Sequence, residues 1–314
     1  MIGYACIALG VPESNMKSTP LKNATDERLC SIIEHNLNAL ETLIDYNIRQ
    51  NIKLFRISSD VIPFGSSKAQ DLPWDDLYRT QLQRIGRKIR EAGMRVSMHP
   101  GQYTVLNSPN PDVASRAVLD LAYHARVLDS LETNAEHKII LHIGGIYGDK
   151  TEALKRFAER YRDLPHHIQK RIVIENDDRL FNIEDVLNLS QSAGIPVVYD
   201  NLHNAINPSN VSVKDAEWIT LASATWQKGD GRQKIHYSQQ DPQKRPGAHS
   251  PTIAIEPFLS FFQDLPDVDI MLEVKDKNLS ALKCINCVSN QGIASLEAEW
   301  ARYKYSVLEH DLAA

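Results

Sequence analysis

The stretch RIVIENDDRLFNIEDVLNLSQSAGIPVVYDNLH, Arg171 to His203, decides how the chain folds. It holds a short apolar run at Arg171–Ile174, a polar loop, a helix-length amphipathic pattern at Ile183–Ala193, and a second apolar run at Pro196–Tyr199. Continuous apolar strands separated by a helix point to a parallel sheet covered on both faces. Each run leads directly into chemistry. Glu175 follows the first, and Asp200 and His203 follow the second.

The unit repeats along the chain. Further strands are expected at Ile2–Leu9, Leu54–Ile57, Arg95–Met98, Lys138–His142, Lys234–Tyr237 and Asp269–Leu272. Helical patterns lie between them at Leu29–Asn47, Leu77–Ala92, Ser115–Leu131, Thr151–Tyr161, Val213–Ala224 and Pro257–Gln263. About eight evenly spread units argue for an α/β fold closed into a (β/α)8 TIM barrel rather than an open sheet. No shift in composition marks a boundary, so one barrel domain is expected over residues 1–314, with an additional amphipathic helix at Ser295–Leu308.

Bulk composition narrows the class. The 314 residues are 42% hydrophobic and 24% charged, which suits a globular chain with a large core. The formal charge of -5 counts mildly against a nucleic-acid partner, although bound cations would reverse the local sign. Cys6, Cys30, Cys284 and Cys287 are too few for a disulfide framework. The single C-x-x-C at Cys284 lacks the second pair that zinc sites of this kind need, so two buried or half-buried helix thiols are expected. The opening MIGYACIAL has no basic leader region, and no apolar run reaches membrane-spanning length, so a cytoplasmic protein without a membrane partner is expected.

In a barrel of this kind, chemistry sits where strands end and βα loops begin. There the chain places His99, His142, Glu175, Asp200 and His203, His236 with His249 downstream, and Glu273 with Lys275 two residues on. Taken singly, each has a bland role: a satisfied structural histidine, a salt-bridge partner, a helix cap. Together, several histidines and three carboxylates on one rim need a compensating cation. Imidazole and carboxylate without thiolate suit Mn, Zn, Fe or Co. Seven or eight ligands exceed one tetrahedral zinc, so two or three ions are expected, with Glu175 bridging two of them. Paired ions about 3.5–4 Å apart are the standard arrangement for phosphodiester hydrolysis. Lys234 fits poorly among cations. It should be neutral, turned away or modified, with a phosphate contact or a carboxylated amine as its functional options and a snorkelling rim lysine as its bland one.

At these residues the sequence resembles the UV damage endonuclease family of ATP-independent repair nucleases. The matching pieces are GYACIAL, FRISSDVIPFGS, SMHPGQYTVLNSP, LHIGGIYGDK, VIENDD, YDNLHN, KIHYSQQ followed by His249, and LEVKDK, spread from Gly3 to about Lys277. The resemblance implies a (β/α)8 barrel that nicks damaged double-stranded DNA immediately 5′ to UV photoproducts, leaving a 3′-hydroxyl and a 5′-phosphate. It implies a cluster of divalent ions, with Mn2+ favoured over Mg2+, Co2+ or Zn2+. It carries the ligand role onto His99, His142, Glu175, Asp200, His203, His236, His249 and Glu273, and matches Lys234 to a family lysine proposed to be modified. Gln102 and Tyr103 match the pair that probes the duplex at the lesion, and Tyr4 an aromatic near the lesion pocket. Where some relatives carry a polar Asn soon after that tyrosine, this chain has ACIALGV.

Duplex probing also has a physical reading of its own. A damaged step costs less to unstack, and an adjacent Gln and Tyr can fill the gap, one hydrogen-bonding base edges and the other stacking. Arg56, Lys228, Arg232, Lys244, Arg245 and Lys275 are candidates to hold phosphates, and the basic segments flanking the seventh strand make that edge the expected DNA-facing rim. Glu175, Lys234, His236 and Lys275 are the expected catalytic group. A metal-dependent sugar isomerase or epimerase, or an apurinic-site endonuclease on the same barrel, is the alternative, and a non-catalytic barrel is disfavoured by the intact ligand set. A monomer suffices for a nuclease groove.

Overall fold

Eight short parallel strands form one continuous sheet in the order β3-β2-β1-β8-β7-β6-β5-β4. The computed structural model describes residues 1–289; the helix expected at 295–308 lies outside the described residues. In chain order the elements are β1 (Ile2–Ala5), α1 (Asp26–Arg49), β2 (Leu54–Arg56), α2 (Trp74–Leu77), α3 (Arg79–Glu91), β3 (Arg95–Ser97), α4 (Pro111–Ser130), β4 (Ile139–His142), α5 (Lys150–Asp163) and α6 (His166–Gln169). They continue with β5 (Ile172–Glu175), α7 (Ile183–Ala193), β6 (Val197–Asp200), α8 (Asn201–Ile206), α9 (Asp215–Ser223), β7 (Lys234–Tyr237), α10 (Ile255–Gln263), β8 (Asp269–Leu272) and α11 (Asn278–Val288). The sheet closes through Met98, just past β3. Its N–H donates to Lys138 O, and its carbonyl accepts from Ile140 N–H, both at 3.0 Å. The closed (β/α)8 barrel is the expected fold.

Strand alternation sorts the side chains into two cores. Phe55, Val96, Ile139, Leu141, Ile172, Ile174, Val197, Tyr199, Ile235, Ile270 and Leu272 point outward and pack under the helices. The interior is filled by Ala5, Leu54 and Met271 on one side, and by Ile140, Val173 and Val198 on the other. Two residues beyond these interior positions, on the same face, stand Arg56, His142, Glu175, Asp200 and Glu273. The period that fills the barrel thus aims the polar residues into its mouth.

Several boundaries differ from expectation for local reasons. β1 stops at Ala5, not Leu9, because Cys6 takes a left-handed conformation (φ 67°) and donates its N–H to Arg56 O. α4 starts at Pro111 rather than Ser115: Asn110 caps it, accepting from Asp112 N–H and Val113 N–H, and proline is suited to the first helical turn. α7 has the expected bounds, set by a capping box between Asn182 and Asp185 and by Gly194 at φ 71°. Cys284 is buried and Cys287 half-buried on α11, both free thiols. No described helix is long and apolar enough to cross a membrane.

The opposite end of the barrel is closed by charge pairs. Arg95 donates to Asp269 at 2.8 Å, and Lys138 reaches Asp230 Oδ1 at 2.5 Å and Lys170 O at 2.7 Å. Arg232 belongs to this end, paired with Asp267, and so does Lys228 in the same loop before β7. The segment preceding β7 therefore does not flank the rim that carries Glu175, contrary to expectation, because it enters the strand from the far face of the barrel.

Helix packing is tight enough to reverse a common substitution effect. A Cβ on Gly86 of α3 would lie 1.9 Å from the Leu131 carbonyl oxygen at the end of α4. Gly→Ala in an exposed helix usually stabilises by about 0.5–1 kcal/mol. Here Gly86→Ala should destabilise by about 1–3 kcal/mol, the scale of overpacking against a backbone that cannot yield. Urea unfolding of the variant checks the sign.

Candidate metal centre

Glu175 ends β5 inside the barrel mouth, 1% exposed, and three groups of ligating side chains meet on it. His99 Nε2 lies 3.2 Å and His142 Nε2 3.6 Å from its Oε2. His203 Nδ1 lies 3.7 Å and His236 Nδ1 2.6 Å from its Oε1. Asp200 sits 3.8 Å from His203, and Glu273 sits 3.4 Å from His236 and 3.8 Å from His249. The eight residues expected as ligands are thus gathered in one place.

Local structure explains how each arrives. His99 follows the Met98 closure, while His142 and Glu175 pair across β4 and β5 in register. Asp200 caps α8, accepting from His203 N–H at 2.7 Å, so a short helix that the sequence did not announce turns His203 back to the centre. Asn176 braces this corner. It exchanges amide bonds with the backbone of Asp200, and its own carbonyl lies 2.8 Å from His203 Nδ1. His249 stands well beyond the end of β7, yet a hairpin closed by the Gln240–His249 bridge and the Asp241 N–H to Ala248 O bond returns it.

Three observations suit a divalent cation. Donor atoms each about 2.1 Å from a shared ion lie roughly 3–3.5 Å apart, close to several of these separations. His99 Nδ1 faces the Pro100 carbonyl at 3.0 Å and His203 Nδ1 that of Asn176. A carbonyl only accepts, so each Nδ1 carries a proton, and in its neutral form each ring has its lone pair on Nε2, the arrangement ligating histidines use. That leaves His99 Nε2 opposing a carboxylate oxygen, acceptor against acceptor, a contact relieved by a cation between them. Lastly, His142 Nδ1 and Asp200 Oδ2 are buried without a hydrogen-bond partner.

Charge follows the same logic. Burial pushes His99 and His142 down toward the neutral, ligating form. Burial would also lower His203, but Asp200, Glu175 and Glu273 raise it to about 9. Burial alone would raise Glu175, yet His236 and His142 hold it well below the ordinary carboxylate range. Glu273 likewise sits below that range because Arg56 and His236 outweigh its burial.

Other expected site residues are placed differently. Arg56 does not reach outward to phosphate. It is 7% exposed and donates to Glu273 Oε1 at 2.6 Å and to His236 Nε2 at 2.8 Å, so His236 is engaged on both nitrogens. Tyr4 does not face the barrel mouth. Wholly buried, it points outward under α1, where its hydroxyl donates to Asn47 Oδ1 at 2.9 Å. Lys234 lies in the barrel interior two residues before His236, wholly buried, so a phosphate contact is excluded. Its Nζ has no partner, and burial pushes the amine well below its ordinary range. Lys275 is on the rim, paired with Asp241 at 3.0 Å. Lys244 and Arg245 are exposed on the His249 hairpin.

Gln102 and Tyr103 are exposed, Tyr103 at 69%, within an otherwise anchored loop. Arg160 of α5 donates to the Leu106 and Ser108 carbonyls, Arg156 to that of Asn107, and Asn107 bonds Gly145. With the loop fastened just beyond the pair, these two side chains stay exposed.

A chain that gathers these donors should be stabilised by the ion they hold. Mn2+ at 100 times its dissociation constant should add about 2.7 kcal/mol to unfolding, read as a raised Tm. Glu175→Gln, which removes the shared charge, should lose most of that shift. An equal shift in both proteins would place the ion elsewhere.

Comparison with known proteins agrees with this geometry. Residues 6–302 match the family model described as UV-endonuclease UvdE. A UV DNA damage endonuclease of Clostridium perfringens is 43% identical over 317 aligned positions, covering 99% of this chain and 77% of that protein. One of Bacillus cereus is 30% identical, covering 91% of this chain and 94% of its own. The crystal structure of SacUVDE superposes with a TM-score of 0.87 at 39% identity, over 92% of this chain and 98% of that one. Fold, rim and sequence lead to one conclusion: the chain belongs to the UV-endonuclease UvdE family.

Proposed function

We propose that this protein is a DNA repair endonuclease that cuts damaged double-stranded DNA immediately 5′ to UV photoproducts by divalent-metal-assisted hydrolysis. The observation that carries the proposal is the sharing of Glu175 among three groups of ligands in the barrel mouth. The family relationship supports the choice of substrate, and makes the sugar isomerase or epimerase alternative the weaker reading.

In this reading His99, His142, Glu175, Asp200, His203, His236, His249 and Glu273 hold two or three ions, with Mn2+ favoured. When bound, such ions make hydroxide available near neutral pH and neutralise charge on the phosphate oxygens. The chain's own residues set the geometry. Pro100 O and Asn176 O fix the His99 and His203 rings, and Arg56 orients Glu273. Water adds across the P–O3′ bond: its oxygen bonds to phosphorus and a proton passes to the leaving 3′ oxygen, giving a 3′-hydroxyl and a 5′-phosphate. Lys234 lies below the cluster as a neutral amine, the form whose nitrogen bonds to the carbon of carbon dioxide while a proton leaves to water, and we assign it the resulting carbamate. Lys275, Lys244 and Arg245 stand on the rim where a backbone would pass, and Gln102 with Tyr103 enters the duplex at the weakened step. No ATP site is required, and a monomer working in the cytoplasm suffices.

The test is nicking of UV-irradiated supercoiled plasmid beside an unirradiated control in the presence of Mn2+. Preferential nicking of irradiated plasmid is expected; equal nicking of both, or none of either, would overturn the lesion-specific reading. Glu175→Gln should abolish incision at any pH. Replacing Gln102 and Tyr103 with Ala should lower the preference for damaged DNA by roughly 5- to 150-fold, the worth of one stacked base at about 1–3 kcal/mol. It should slow cutting itself less. A double variant with full selectivity would remove the probing role.

A further inference from the structure

Two polar side chains of α4 have no part in the chemistry above, yet they are almost wholly enclosed. Asp120 is 3% exposed and His124 0%. Asp120 Oδ2 accepts a hydrogen bond of 2.6 Å from Thr104 Oγ1, and Thr104 directly follows Tyr103. The Thr104 N–H in turn donates to Gly101 O at 2.9 Å, so one turn brackets Gln102 and Tyr103, with its far leg tied to α4.

One helical turn on, His124 Nδ1 donates to the Asp120 carbonyl at 2.6 Å, and its Nε2 lies 2.8 Å from Ser59 Oγ. That hydroxyl has a single proton, shared between this nitrogen and the carbonyl of His99, 3.0 Å from Ser59 Oγ. Tyr123 completes the hold, donating to Ser59 O at 2.6 Å. The chain of bonds therefore begins beside the exposed pair and ends on the backbone of a proposed ligand.

Buried polar groups need partners wherever they stand, and that alone would account for the individual bonds. It does not account for where they lead. Only Pro100 to Tyr103 separate His99 from Thr104, and that covalent link runs through Gly101, which gives it little stiffness. Directional bonds to a helix fix both ends against one rigid element. We infer that Thr104–Asp120–His124–Ser59 is a positioning device that holds the Gln102–Tyr103 turn and the His99 strand end as one piece. Insertion into the duplex and placement of the scissile phosphate over the ligands are then set together. The inference rests on the reading of Gln102 and Tyr103 as the duplex probe.

Thr104→Val removes the hydroxyl while keeping the shape, Thr104→Ser keeps it, and Ser59→Ala breaks the chain at its other end. Thr104→Val and Ser59→Ala should each lower the preference for irradiated over unirradiated plasmid by about tenfold, the upper scale of one ordinary hydrogen bond. Their combination should fall no further than the worse single variant, since a chain is broken once. Thr104→Ser should hold the wild-type ratio. Should Thr104→Val fail to fold, Ser59→Ala carries the test from a half-buried position. Amide hydrogen exchange gives a second readout: Ser59→Ala should speed exchange at residues 101–106, remote in sequence from the substitution. Multiplicative loss in the double variant, or unchanged exchange at 101–106 in Ser59→Ala, would overturn the inference. If wild type shows no preference for irradiated plasmid, the duplex-probe reading fails, while the exchange result still decides whether the two ends are mechanically joined.

Discussion

A carboxylate sealed inside protein must be matched by positive charge, and Glu175 is the point at which this barrel meets that requirement. Its two oxygens face four imidazoles from four different strand ends. The arrangement works only if β3, β4, β5, β6 and β7 end at nearly the same height, so the parallel register of the sheet and the chemistry of its mouth are one constraint. A slip of one residue in β5 would turn Glu175 out under the helices and replace it with an isoleucine or an asparagine.

Much of this can be read from the sequence, for a definite reason. Eight apolar runs, the last six of them leading into a histidine or a carboxylate, set the rim, because a βα barrel has its chemistry at one end of all its strands. The α7 bounds were equally legible, since Asn182, Asp185 and Gly194 are local signals acting within a few residues. What could not be read depended on which face of a strand a side chain takes. Tyr4 and Arg56 are each one residue away from facing the other way. Tyr4 goes to the helices and Arg56 to the ligands because β1 and β2 pair with Tyr4 opposite Phe55 and Ala5 opposite Arg56. Lys228 and Arg232 adjoin β7 in sequence, but a strand has two ends, and theirs is the far one.

The chain splits its tasks between those ends. The base is tied by paired charges such as Arg95 with Asp269 and Lys138 with Asp230, whereas the mouth keeps atoms unpaired at His142 and Asp200. Unsatisfied buried atoms cost stability, and proteins tolerate them where they serve a ligand. Loops divide along the same line. Those that carry ligands or the exposed Gln102–Tyr103 pair are fastened by arginines of α5, by the Asn176 amide or by the Gln240–His249 bridge.

The place of Arg56 bears on how charge is balanced around the mouth. Its guanidinium gives Glu273 a partner built from the chain itself, so this quarter of the mouth is neutral as soon as β2 and β8 have docked. The quarter around Asp200 and His142 has no such guanidinium, only the His203 imidazole 3.8 Å from Asp200. The two sectors therefore differ in how much of their charge the chain itself balances.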